Sequence, residues 1–142
     1  MKTISVYILI LILIIGCTSK EHTLSTGDQS QVIKNIIKAV NEKDANSYVA
    51  GFAENVEVYV ESELKINGKE ALQKNRAHHF EKYPKVYSQI QYLLEIDNKV
   101  IMHDKVWLDE KNESGQDIVE IFTFNNGKIS RVDVVQPKNL FK

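Results

Sequence analysis

The chain has 142 residues, 43% hydrophobic and 26% charged, which suits one domain able to bury about two-thirds of its unfolded surface. Of the 18 basic residues only Lys2 precedes Cys17, so the chain from Cys17 onward carries 17 basic against 19 acidic groups, with no basic run or arginine–aromatic ladder. That pattern excludes nucleic acid as the partner, and a single cysteine excludes an intramolecular disulfide.

Lys2 is followed by an almost unbroken apolar run, Ile4 to Ile15, and then Gly16-Cys17. A basic start, a short apolar core and a small residue before the cut describe a secretory signal. The run is too short for a comfortable membrane span. The tetrad Ile14-Ile15-Gly16-Cys17 resembles a bacterial lipobox. The resemblance implies cleavage before Cys17 and diacylation of its thiol. Residues 1–16 then form a lipoprotein signal peptide, and residues 17–30 the lipidated cysteine and a polar tether that includes His22. An ordinary signal peptide with an incidental cysteine is the alternative. Two or three acyl chains anchor a protein stably, so the expected location is the cell envelope, membrane-bound through Cys17.

From Gln31 the spacing becomes helical. Val32, Ile36 and Val40 recur every fourth residue beside Ile33 and Ile37, and Asp28 with Gln31 fits a capping box. Asp44 can cap a second helix with Ala45, Tyr48, Val49 and Phe52 on one face. The period then changes to two, with Val56, Val58 and Val60 alternating with Glu57, Tyr59 and Glu61 as in a strand with one buried face. Asn67 with Glu70 predicts the cap of a third helix, running to about Lys82 before Pro84. Its face of Leu72, Asn75 or Arg76, His79 and Phe80 is weakly apolar, as befits a rim.

Three strands and a closing hairpin follow. Val86, Ser88, Ile90, Tyr92, Leu94 and Ile96 share one face, and Asp97-Asn98 marks a turn. Val100, Met102, Asp104, Val106 and Leu108 share the next, with Ile101, His103, Lys105 and Trp107 behind them. After a polar loop, Ile118, Glu120, Phe122 and Phe124 align. Asn126-Gly127 signals a type I′ turn into a last strand, Lys128 to Gln136. Helices gathered on one side of such strands give an α+β fold: a cone-shaped, curved antiparallel β-sheet with three N-terminal-side helices covering a pocket.

The chain resembles the nuclear transport factor 2-like superfamily in its SnoaL-like branch. The matching pieces are Asn41-Glu42-Lys43-Asp44, Phe52-Ala53-Glu54-Asn55-Val56, Ile66-Asn67-Gly68-Lys69-Glu70-Ala71 and Phe122-Thr123-Phe124-Asn125-Asn126-Gly127-Lys128-Ile129. They delimit a domain over residues 31–137 with a tail at 138–142. The resemblance implies the cone. It leaves activity open, because the fold carries isomerases, cyclases, dehydratases, ligand binders and assembly modules.

Two carboxylates stand on inward apolar faces, Asp104 and Glu120. Desolvation raises the pKa of such groups and suits them to acid/base work. On neighbouring strands they fall about 7–8 Å apart, one diagonal step. Pairing with Arg76, Arg131 or a backbone amide is the competing expectation. Tyr48, Phe52, Val58, Val60, Tyr92, Met102, Phe122 and Phe124 are the expected pocket lining, suited to a small, mostly apolar molecule. Aligned with the superfamily's ketosteroid isomerases, Glu120 takes the place of their protonated acid. Val60 and Ile36 stand where those enzymes carry a catalytic Asp and a Tyr.

His78-His79 and His103 lack metal-ligand spacing, so neither a metal site nor a cofactor is expected. His103 and Trp107 belong to the outer sheet face, which the resemblance marks as a homodimer interface. Three readings follow: an envelope lipoprotein binding a small apolar molecule, a cofactor-independent isomerase, cyclase or dehydratase using Asp104 and Glu120, or an assembly module.

Overall fold

Helix α1 spans Asp28–Glu42 and buries Ile33, Ile36, Ile37 and Ala39, with Val32 and Val40 partly covered. Its stripe matches the spacing, but the helix already includes residues assigned above to the tether. Gln29 donates from Nε2 to the Asp97 carbonyl at 3.0 Å, and Ser30 donates from Oγ to Glu95 at 2.6 Å. The computed structural model describes residues 28–109 and 115–137. The signal segment, Cys17, His22 and the 138–142 tail lie outside them. Among the described residues no helix is long and apolar enough to cross a membrane.

Asp44 caps α2, Ala45–Val49, as its position predicts: Oδ1 accepts from the Asn46 and Ser47 amides at 2.9 and 3.0 Å. Strand β1 runs Phe52–Val60 and pairs with β2, Glu63–Asn67, a strand the sequence reading lacks. Their turn is Glu61-Ser62, with φ of 49° and 70°. That left-handed pair is usually made with Asn-Gly, so the residue types gave no signal. Helix α3, Lys69–Lys82, starts at Gly68 with φ 95° and has no side-chain cap, which corrects the expected Asn67–Glu70 box.

The remaining strands are β3 Tyr87–Ile96, β4 Lys99–Trp107, β5 Gln116–Asn125 and β6 Lys128–Val135. Asn126-Gly127, with φ of 48° and 76°, makes the predicted β5–β6 turn. The sheet order is β2-β1-β6-β5-β4-β3. All neighbours are antiparallel except β1 and β6, which run parallel. The expectation of an antiparallel sheet therefore holds for the meander, and fails where β1, separated from it by β2 and α3, joins its last strand.

One irregularity redirects a face. Ile90 pairs with Asp104 but Tyr92 pairs with His103, so Gln91 is an extra residue in β3. Such a bulge inverts the alternation beyond it. Val86 and Ser88 point inward, whereas Tyr92 is 60% exposed and Leu94 and Ile96 lie on the outer surface. Tyr92 is thus no part of the pocket.

Helix α1 packs on β3 and β4, and α3 on β1 and β2, both on the concave side of the curved, open sheet. The main core joins α1 and α2 to Phe52, Val58, Met102, Phe122 and Phe124. A smaller core gathers Phe80, Val86, Val106 and Ile118. A cavity lies between helices and sheet where these cores meet.

Candidate active site

The cavity has a volume of about 380 Å³, within the range of small-molecule sites. Helix α1 contributes Ile36, Ile37 and Val40, α2 Tyr48, and α3 Arg76, His79 and Phe80. The strands add Val60, Lys65, Ser88, Asp104, Val106, Ile118, Glu120 and Val134, while Val86 stands just before β3 and Gln136 just after β6. Of the predicted lining, Tyr48 and Val60 are here. Phe52, Val58, Met102, Phe122 and Phe124 are not: they fill the main core, where α1 closes over that part of the sheet. Ile36 and Val60, which the alignment above sets at two positions of the ketosteroid isomerase site, both stand in the wall and offer only hydrocarbon.

Asp104 and Glu120 enter the same cavity. Met102 pairs with Glu120 and Asp104 with Ile118, so the two acids stand one diagonal step apart on β4 and β5. Asp104 is only 3% exposed. Its Oδ2 accepts a hydrogen bond from the Ser88 hydroxyl. Among the described residues its Oδ1 is buried without a hydrogen-bond partner. Neither Arg76 nor Arg131 pairs with it; Arg131 binds Asp133 at 2.6 Å and lies over the Tyr59 ring. Burial pushes the Asp104 carboxyl up to about 6, against the Ser88 bond and weaker help from the Gln89 and Lys105 amides and His103.

Glu120 is half-buried and opens onto the cavity. Its pKa is pushed up to about 7, first by burial and then by the Asp104 charge, with Arg76 opposing. The two acids share one wall, so their ionisations are linked, and near neutrality the proton they retain sits mainly on Glu120. Tyr48, stacked on Phe52 at 5.5 Å, is pushed up to about 12 mainly by burial and stays a neutral phenol. His79 is pushed down to about 4 by burial and by Arg76, Lys82 and His78, so it faces the cavity uncharged.

Two supporting residues had weak or no signal in the sequence. Ser88 was legible as a serine on an inward face but gave no hint of its partner. Asn41 gave none, because that partner is 47 residues away. Its side-chain amide receives the Ser88 amide at 2.8 Å and donates to the Ser88 carbonyl at 2.9 Å. Strand β3 is a sheet edge with free backbone groups. Asn41 occupies that edge as a neighbouring strand would, and so fixes the serine that holds Asp104.

His103 sits on the outer face, bonded to Asp117 at 2.8 Å. Trp107 also lies on that side but is buried, packed against Tyr87 and under Gly115.

A cone of helices over a curved sheet, with its acids inside, is the architecture the sequence motifs implied. The SnoaL-like domain family matches residues 33–132. The chain belongs to this family. No curated protein matches the SnoaL-like chain. Among solved structures, a SnoaL-like protein from Burkholderia thailandensis E264 is similar at TM-score 0.67 and 15% identity, over 80% of this chain and 96% of that one. A provisionally assigned ketosteroid isomerase from Kribbella flavida DSM 17836 is similar at TM-score 0.65 and 17% identity, over 81% and 82%. A de novo designed protein with a curved β-sheet reaches TM-score 0.70 at 14% identity, over 83% and 92%. At such identities the likeness is one of fold, and a designed chain sharing it underlines that chemistry must be read from the cavity.

Proposed function

We propose that the SnoaL-like cone holds a small, mostly apolar molecule and moves a proton on it without a cofactor, as an isomerase, cyclase or dehydratase would. One observation carries this reading: two carboxyls, neither in an ion pair with a cation among the described residues, share an apolar cavity one diagonal step apart. Glu120 opens onto the cavity and is the group that meets the ligand. Close to half-protonated near neutrality, it can take a proton from carbon and return it elsewhere. Asp104, whose free Oδ1 is out of solvent reach, acts through its charge and keeps Glu120 basic. The Tyr48 phenol and Arg76 supply donors for a developing oxyanion. With Val60 and Ile36 in the wall, the arrangement differs from that of the steroid isomerases. The Lys2-to-Cys17 signal supports placement at the cell envelope on a lipid anchor.

The test is native mass spectrometry on the full chain exposed to small molecules of an envelope extract, followed by incubation of the retained molecule in D2O. Wild type should retain a small apolar compound and introduce deuterium into it, and Glu120→Gln should retain it without exchange. Retention without exchange in the wild type would reduce the protein to a binder. A clean apo mass across extracts would overturn the cavity reading.

A further inference from the structure

We propose that the molecule held in the cavity carries a carboxylate or a similarly compact anionic group, received by Arg76, with its apolar body lying against α1. This rests on reading the cavity as a ligand site and specifies the class of ligand.

Arg76 lines the cavity from α3 and is half-buried. Its Nε and Nη2 both turn to Asn75 Oδ1, at 3.2 and 2.8 Å, and among the described residues Nη1 has no hydrogen-bond partner. Its guanidinium carbon lies 5.6 Å from the centre of the Tyr48 ring, which fixes its placement. Among the described residues no carboxylate comes within ion-pair distance of it. The other cation on the wall, Lys65, is already paired with Glu63. A guanidinium offers a fork of donors that matches a carboxylate, and among the described residues this one bonds a neutral amide and lies by a ring, with the Glu120 charge acting on it only beyond ion-pair distance. On the same wall, Ile36, Ile37 and Val40 of α1 present hydrocarbon. The wall therefore has a cationic end and an apolar side, as an amphipathic acid requires.

The acids do not contradict this. Glu120 is faced by Asp104 from β4, Arg76 from α3 and Tyr48 from α2, with neutral His79 and the paired Lys65 on the same wall. An anion entering this set adds to the effect of Asp104 and drives Glu120 toward its protonated form. Binding then takes up a proton near neutral pH.

The experiment compares 4-phenylbutanoate with 4-phenylbutanamide, equal in size and different in charge, by calorimetry on the full chain at neutral pH. The carboxylate should bind about tenfold more tightly than the amide, equivalent to about 1.4 kcal/mol. Paired buffers of different ionisation heat should show proton uptake with the carboxylate and none with the amide. Arg76→Gln should erase the preference for the carboxylate over the amide, and a urea midpoint close to wild type shows that the variant is folded. Arg76→Lys should keep part of the preference. Equal binding of the two compounds to wild type, or a preference that survives in Arg76→Gln, would overturn the anionic class and leave the cavity reading intact. No binding of either compound would overturn both.

Discussion

Replacing Glu120 by Gln should stabilise this protein in alkaline solution and leave it unchanged in acid. The Glu120 carboxyl rises from its ordinary value of 4.5 to about 7 on folding. At about 1.4 kcal/mol per tenfold change in ionisation, that corresponds to about 3 kcal/mol. The sign follows from linkage. A carboxyl whose folded value lies above its unfolded one favours the native state only while it holds its proton. Its contribution is complete below about 4.5 and is lost as pH rises through about 7. Gln cannot ionise and escapes the loss, and its amide can be hydrated from the cavity that Glu120 lines. Urea unfolding of wild type and Glu120→Gln at pH 4 and pH 8 measures the difference. The expected gain is about 3 kcal/mol at pH 8 and close to zero at pH 4. A variant no more stable than wild type at pH 8, or equally stabilised at both values, would refute the claim that Glu120 ionises against its surroundings. A gain of stability with a loss of proton exchange is what a strained functional group produces.

Two further predictions concern the frame around the acids. Asn41→Ala should cost about 1–3 kcal/mol, because it removes both hydrogen bonds that satisfy Ser88 at the β3 edge. Denaturant midpoints check this, and loss of the Ser88 restraint should also shift the Asp104 carboxyl signal in a carbon-13 NMR titration. Gly115→Ala should cost about 1–3 kcal/mol by overpacking, since a Cβ there would come within 2.4 Å of the Trp107 ring. A thermal midpoint equal to wild type would mean the indole can move aside.

Features that depend on neighbours along the chain were legible in the residues alone. The α1 stripe, the Asp44 cap, the alternation of β4 and β5 and the Asn126-Gly127 turn each follow from a local period or dihedral preference. Asp104 and Glu120 could be set inward for the same reason: alternation is counted from one residue to the next. Tertiary structure decided the rest. The bulge at Gln91 swung Tyr92 outward because pairing with β4 sets the register of β3. The Glu61-Ser62 turn formed because a strand partner holds a conformation those residues do not prefer. Phe52, Val58, Met102, Phe122 and Phe124 became core, while Val106, Ile118 and Val134 became cavity wall. Their apolar faces read alike, and where the helices cross the sheet selects between them. The bonds from Asn41 to Ser88 and from Ser88 to Asp104 join groups far apart in the chain. Only packing brings them together, and the cavity that Asp104 and Glu120 share exists only once the helices have closed over the sheet.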